Sequence, residues 1–123
     1  MAKRIALIAC KRVKQQNICP ADARCLVALM RREGEFERYR DEDASIVGIV
    51  ECGECHGERA PLQLASLKGV LAGLGETADV IHTGTCISAF CRHKDELLNY
   101  IRNKVNIEIV DGGHKYAPPS IFP

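Results

Sequence analysis

The chain has 123 residues, a single-domain length with enough apolar material for a core that needs no covalent staples. Apolar residues make up 46% and charged residues 27%, a balance that excludes intrinsic disorder, and the formal net charge of +1 gives no electrostatic preference for nucleic acid or an anionic membrane. Apolar runs fall short of the roughly 18 residues of a membrane span, and residues 5–10 are too few for the core of a signal peptide, so a cytoplasmic protein is expected.

Residues 5–9, Ile-Ala-Leu-Ile-Ala, form a short continuous apolar run of the kind that becomes a central strand covered on both faces. A basic loop, 11–17, follows. Cys19-Pro20 then opens a helix, because proline suits the first helical turn. Leu26, Leu29 and Met30 are its expected inward face, and Gly34 its stop. Residues 35–39 alternate polar and aromatic side chains, which predicts a half-exposed edge strand. The run 45–51 predicts a buried strand ending in the turn Cys52-Gly53-Glu54-Cys55-His56-Gly57. Pro61 starts a second helix with Leu64, Leu67, Val70, Leu71 and Leu74 on one face. A strand over 78–82 leads into a loop carrying Cys86, Cys91, Arg92 and His93. A third helix over 93–103 turns Leu97, Leu98 and Ile101 inward. A last strand, 105–110, precedes Asp111-Gly112-Gly113-His114 and an extended proline-rich tail, 115–123.

Strands alternating with helices predict an α/β fold of three layers, an open parallel sheet with helices on both faces. Five strands suit the flavodoxin-like order 2-1-3-4-5, with 35–39 as the outer second strand. The whole chain, 1–123, then forms one domain.

Seven cysteines and four histidines are the unusual feature of the composition. An odd number cannot pair fully in disulfides within one chain, and clustered thiols in a reducing compartment bind metal or do redox chemistry. Every one of these residues is expected at or beyond the carboxyl end of a strand. Cys10, Cys19 and Cys25 follow the first strand; Cys52, Cys55 and His56 follow the strand over 45–51. His82, Cys86, Cys91 and His93 follow the fourth, and His114 the fifth. Ligands of open α/β sheets bind at that edge, where strand order reverses, here expected between the strands 5–9 and 45–51.

Each residue also has a plain structural explanation. Cys10 and Cys25 could be small buried apolar residues, His82 a satisfied polar group and His114 a turn residue. The pair Cys52 and Cys55 is harder to dismiss, because Cys-x-x-Cys lets two thiolates converge on one ion or form a disulfide.

Cys52-Gly53-Glu54-Cys55 after an apolar strand, with Cys19-Pro20 upstream and Cys86 and Cys91-Arg92-His93 downstream, resembles the CGGC-domain family. These are small prokaryotic proteins of undefined function whose many cysteines and histidines have led to their being proposed to bind zinc. The resemblance covers nearly the whole chain and implies metal binding with Cys52 and Cys55 as the central motif. The chain departs from that motif at Glu54, where the family has a second glycine. If that position needs a positive φ, glutamate is strained there.

Three functions fit these residues. The first is a metal site, with zinc as the expected cofactor and an iron–sulfur cluster as the alternative. Its ligands come from Cys10, Cys19, Cys25, Cys52, Cys55, His56, Cys86, Cys91 and His93, and Lys11, Arg12, Arg59 and Arg92 offset the thiolate charge. The second is thiol–disulfide exchange through Cys52 and Cys55. The third is phosphoryl transfer, since Cys86 to Arg92 matches Cys-x5-Arg. That loop lacks an internal glycine and carries the bulky Phe90. A flavin is disfavoured, because the loop 11–17 lacks the Ser, Thr and Gly that hold a phosphate. A metal ion is thus the expected partner, with neither nucleic acid nor membrane indicated.

Overall fold

Strand β1, Lys3–Ala9, is buried from Ile5 to Ala9, as its uninterrupted apolar run requires of a strand covered on two faces. A computed structural model describes residues 3–10, 23–53, 55–89 and 91–113, in which β1 is followed by helix α1, Ala23–Arg31, a 3-10 helix at Gly34–Tyr39, strand β2, Ala44–Glu51, and helix α2, Ala60–Gly73. Strand β3, Val80–Thr83, the short helix α3, Thr85–Ser88, helix α4, Lys94–Arg102, and strand β4, Glu108–Asp111, complete the order. The expected loop 11–17, Cys19 and the tail 115–123 lie outside the described residues.

The four strands form one sheet of order β2-β1-β3-β4, and every pairing is parallel. The α/β class with helices on both faces is as the sequence predicts. One core packs Ile5, Leu7, Val80 and Val110 against Cys25, Ala28 and Leu29 of α1 and against Phe36 and Tyr39. The other packs Ala6, Ile8 and Ile81 against Ala60 and Leu64 of α2 and Leu97 and Ile101 of α4. Residues of β1 alternate between the two, the period of two expected of a strand.

Three sequence expectations change. Residues 35–39 are not an edge strand, so the described sheet has four strands rather than five. Phe36 and Tyr39 are the buried pair of the segment, and their three-residue spacing is the 3-10 period, whereas a strand would send them to opposite faces. With that strand gone, β2 becomes an edge strand. Its β-branched run is covered on its faces but open along one side, and every residue except the exposed Ser45 is part-buried. The reversal of strand order therefore falls between β1 and β3, not between β1 and β2.

The third change concerns helix faces. Of the expected inward face of α1, Leu29 is buried, together with Cys25 and Ala28, while Leu26 and Met30 are exposed. In α2, Leu64 and Leu71 are buried and Leu67 packs against the core, but Val70 and Leu74 face outward. In α4 the expected trio Leu97, Leu98 and Ile101 is buried. Beside α2 lies a cleft of about 660 Å³ whose lining includes Leu64, Leu67, Leu71, Ile81, Val105 and Ile107.

Candidate metal centre

Two loops build the site, and two glycines bring them together. The turn after β2 begins with Cys52, whose N–H donates to Ala9 O at 2.9 Å, extending the β1–β2 ladder by one bond. Gly53 then takes φ +86° and Gly57 φ +90°, backbone that residues with a Cβ rarely adopt. Both are also close-packed. A Cβ on Gly57 would stand 2.7 Å from Leu97 Cδ1 and 3.1 Å from Leu97 Cα. The turn is thus held against α4, and His56, the residue before Gly57, is carried to the first turn of that helix.

There His56 meets two more donors. His93 caps α4 at its N-terminus and Glu96 lies in its first turn, where a carboxylate is favoured by the helix dipole. His56 Nδ1 stands 3.0 Å from Glu96 Oε2, and His93 Nδ1 lies 3.9 Å from Glu96 Oε1. The two imidazoles stack with ring centres 3.8 Å apart. One ligand atom from each of the three residues lies within 4.8 Å of the other two.

These separations can be tested against an ion. Zn–N and Zn–O bonds of about 2.0–2.1 Å at a tetrahedral centre put neighbouring donors about 3.4 Å apart. The His56 and His93 distances to Glu96, 3.0 and 3.9 Å to different carboxylate oxygens, bracket that value, and one atom from each residue lies within 4.8 Å of the others, so the side chains would draw together to close on one ion. Two imidazoles and a carboxylate are a donor set zinc accepts, and three protein ligands leave a position for a further thiolate or a water.

The thiols gather below. Cys52 is buried in the core shared by α2 and α4, and Cys10, Cys86 and Cys91 pack against that same core. The N–H of Cys10 donates to Cys86 Sγ at 3.1 Å, across the β1–β3 reversal of strand order. Cys55 is exposed at the surface of the turn. Burial pushes the Cys91 thiol up, and the neighbouring Cys10 and Cys55 add to this; a hydrogen bond from the His93 backbone and the charge of Lys94 act the other way. Cys91 thus lies within electrostatic range of both Cys10 and Cys55. Cys25 belongs to the opposite core, under α1. Cys19, His114 and Glu54 lie outside the described residues.

His82 has a different role. Its ring is buried between Phe36 and Tyr39. Nδ1 lies 2.7 Å from Gly112 O and Nε2 2.7 Å from the Tyr39 hydroxyl. A carbonyl only accepts, so Nδ1 carries the proton and Nε2 accepts from Tyr39. Burial lowers the His82 pKa and raises that of Tyr39 to about 12, so both are neutral and the plain structural explanation holds for this histidine.

Sequence reasoning missed Glu96. Its signal was its position three residues after His93 at a helix start, which puts both on one side of the first turn. In the segment 86–92 several of the described N–H groups are engaged within the turn. Ile87 and Ser88 donate their N–H groups to Gly84 O, Ala89 to Thr85 O and Cys91 to Ile87 O. Those four donors are spent within the turn.

The fold and site define a cysteine-rich α/β domain with a candidate His/Glu metal site at the carboxyl edge of its parallel sheet. The CGGC domain matches residues 4–114, and the chain belongs to the CGGC-domain family. It is 32% identical over 118 residues to Uncharacterized protein MJ0582 of Methanocaldococcus jannaschii, a match covering 90% of this chain and 86% of that protein. No solved structure matches the chain. Among the described residues no helix is long and apolar enough to cross a membrane.

Proposed function

We propose that this protein binds zinc through His56, His93 and Glu96, with the thiol-rich edge beside them supplying a further ligand. The observation that carries the reading is the convergence of three donors from two separate loops within 4.8 Å. Cys55 and Cys91 are the expected source of a fourth donor, because Cys55 precedes His56 directly, Cys91 stands two residues before His93, and the two influence each other electrostatically. Zinc bound here would hold the β2–α2 turn to α4 and would act as a Lewis acid towards whatever took an open position.

The test is elemental analysis of protein purified without oxygen, followed by zinc competition on wild type, Glu96→Gln and His93→Ala. Wild type should carry about one ion per chain, and each substitution should weaken binding by at least about tenfold, the usual cost of disturbing a ligand shell. Less than about one ion in several chains, or binding unchanged in both variants, would overturn the proposal.

A second reading has its own support. Cys10, Cys52, Cys86 and Cys91 gather on one core, an arrangement that suits an iron–sulfur cluster or thiol–disulfide exchange with Cys55. Zinc protein is colourless, so visible absorption in the anaerobic sample would favour the cluster. Reduction of a test disulfide that disappears in Cys52→Ser would favour exchange.

A further inference from the structure

Helices α2 and α4 lie on the same face of the sheet, and α4 is the shorter. Its nine residues extend about 14 Å, against about 21 Å for the fourteen of α2. Both begin at the carboxyl edge, after β2 and β3, and run back along the strands. Helix α4 therefore stops first, and the chain goes on to β4 as an irregular segment, 103–107. Beside the second half of α2 this segment takes the place of helix, and the cleft of about 660 Å³ lies between the two.

The cleft is apolar inside and basic at its mouth. Ala6 of β1 lies at its floor, where a methyl leaves room that a larger side chain would fill. Leu64, Leu67 and Leu71 of α2 make one wall, and Val105 and Ile107 the other; all five are buried or half-buried. Lys68 of α2 and Lys104 of the irregular segment, both exposed, bring one cation from each wall. Among the described residues no carboxylate lines the cleft, and no ion pair takes up either lysine. The acids that follow each wall along the chain are engaged elsewhere. Glu76 and Asp79 are held by Arg4 at 3.3 and 3.1 Å, and Glu108 faces Arg38 at 3.6 Å.

Sites for small molecules enclose roughly 300–1,000 Å³ and set a few polar groups around an apolar interior. Here the apolar walls would leave the hydroxyls of a sugar without partners, and two lysines would repel a cation. We propose that the cleft binds a small amphipathic monocarboxylate, with its hydrocarbon part between α2 and residues 105–107 and its carboxylate between Lys68 and Lys104. This site is separate from the candidate metal centre. Thr77 and Ala78, which also line it, precede β3 and put it towards the amino edge of the sheet.

Calorimetric titration of the full chain, free of zinc, with octanoate and decanoate below their micelle-forming concentrations tests this. One molecule should bind per chain. Decanoate should bind at least about fivefold more tightly than octanoate, because each fully buried methylene is worth about fourfold. Decyltrimethylammonium, with a similar chain and a cationic head, should bind at least about tenfold more weakly than decanoate. The double variant Lys68→Glu, Lys104→Glu changes two exposed positions, so the fold should stand, and it should reverse that preference. Ala65→Phe, at an exposed lining position of α2, should fill the cleft and weaken decanoate binding. No saturable binding of decanoate up to millimolar concentration, or an affinity that ignores chain length or head-group charge, would overturn the proposal. So would decanoate binding unchanged in either variant.

Discussion

Gly57 is where the backbone of the β2–α2 turn touches α4, and Gly57→Ala is the most direct perturbation of the site that leaves all its ligands in place. Two costs follow from the structure. At φ +90° a residue with a Cβ is strained by about 1–3 kcal/mol. The new methyl would also stand 2.7 Å from Leu97 Cδ1, 2.8 Å from its Cβ and 3.1 Å from its Cα. The last two cannot be relieved by turning a side chain, and crowding of this kind costs about 1–3 kcal/mol. Together these predict a loss of about 2–6 kcal/mol, a large share of the roughly 5–15 kcal/mol that holds a domain together.

Urea unfolding of the zinc-free protein measures it, read as a midpoint lowered with the slope unchanged. Because relief of the clash pushes the turn away from α4, His56 should leave Glu96 and zinc affinity should fall with stability. Leu97→Ala costs stability alone but removes part of the overlap, so the double variant should be more stable than the sum of the single losses predicts. A Gly57→Ala protein within about 0.5 kcal/mol of wild type, the range of an unremarkable surface change, would refute the reasoning that this glycine sets the turn.

Three more outcomes are expected. Tyr39→Phe removes the donor to buried His82 Nε2 and should cost about 1–3 kcal/mol by urea unfolding, the price of leaving a buried acceptor bare. Burial lowers the folded-state pKa of His82 below its ordinary 6.5, so the unfolded chain takes the proton first. This contribution to stability is full above about pH 6.5 and falls as pH drops below it, by up to about 1.4 kcal/mol per pH unit. It is fully lost only below the folded pKa, and equal stability slopes in wild type and His82→Asn would contradict it. Asp111 accepts from Thr83 Oγ1 at 2.6 Å and from Lys94 Nζ at 3.0 Å, tying β3, β4 and the start of α4. Asp111→Asn should cost about 1.5–3 kcal/mol, the range for hydrogen bonds to a charged group, and an unchanged urea midpoint would show that the tie is not needed.

The sequence was most legible where one physical signal dominated. The run at residues 5–9 could only be a strand covered on both faces, and Leu97, Leu98 and Ile101 could only face inward at helical spacing. Segments with two competing periods misled. Glu35–Tyr39 alternates polar and aromatic residues like a strand, yet Phe36 and Tyr39 also lie three apart, and packing over His82 favoured the 3-10 form. Leu26 and Met30 match the helical period as well as Cys25 and Leu29 do. Only tertiary packing chose between the two stripes, burying Cys25, Ala28 and Leu29. At the site, His56 and His93 were visible as ligand types beside cysteines. Glu96 was not, because a glutamate in a first helical turn needs no further explanation until a histidine from another loop lies 3.0 Å away.

The change in strand order also sharpens how the candidate site is divided. With β2 at the edge and the reversal between β1 and β3, the crevice belongs to Cys10 and Cys86, joined by a 3.1 Å hydrogen bond. The Cys52–Gly57 turn stands to one side of it, over α4. The thiols and the imidazoles therefore follow the carboxyl ends of different strands along one edge, and Cys91 senses both Cys10 and Cys55. A single ion on His56, His93 and Glu96 would use only the outer part. The inner thiols would remain for a second ion, for a cluster or for the plain packing role that buried cysteines commonly fill. Metal stoichiometry separates these cases: about one zinc retained by Cys10→Ala and Cys86→Ala but lost from His93→Ala would assign binding to the outer part alone. Loss of zinc from all three would make the edge one continuous site.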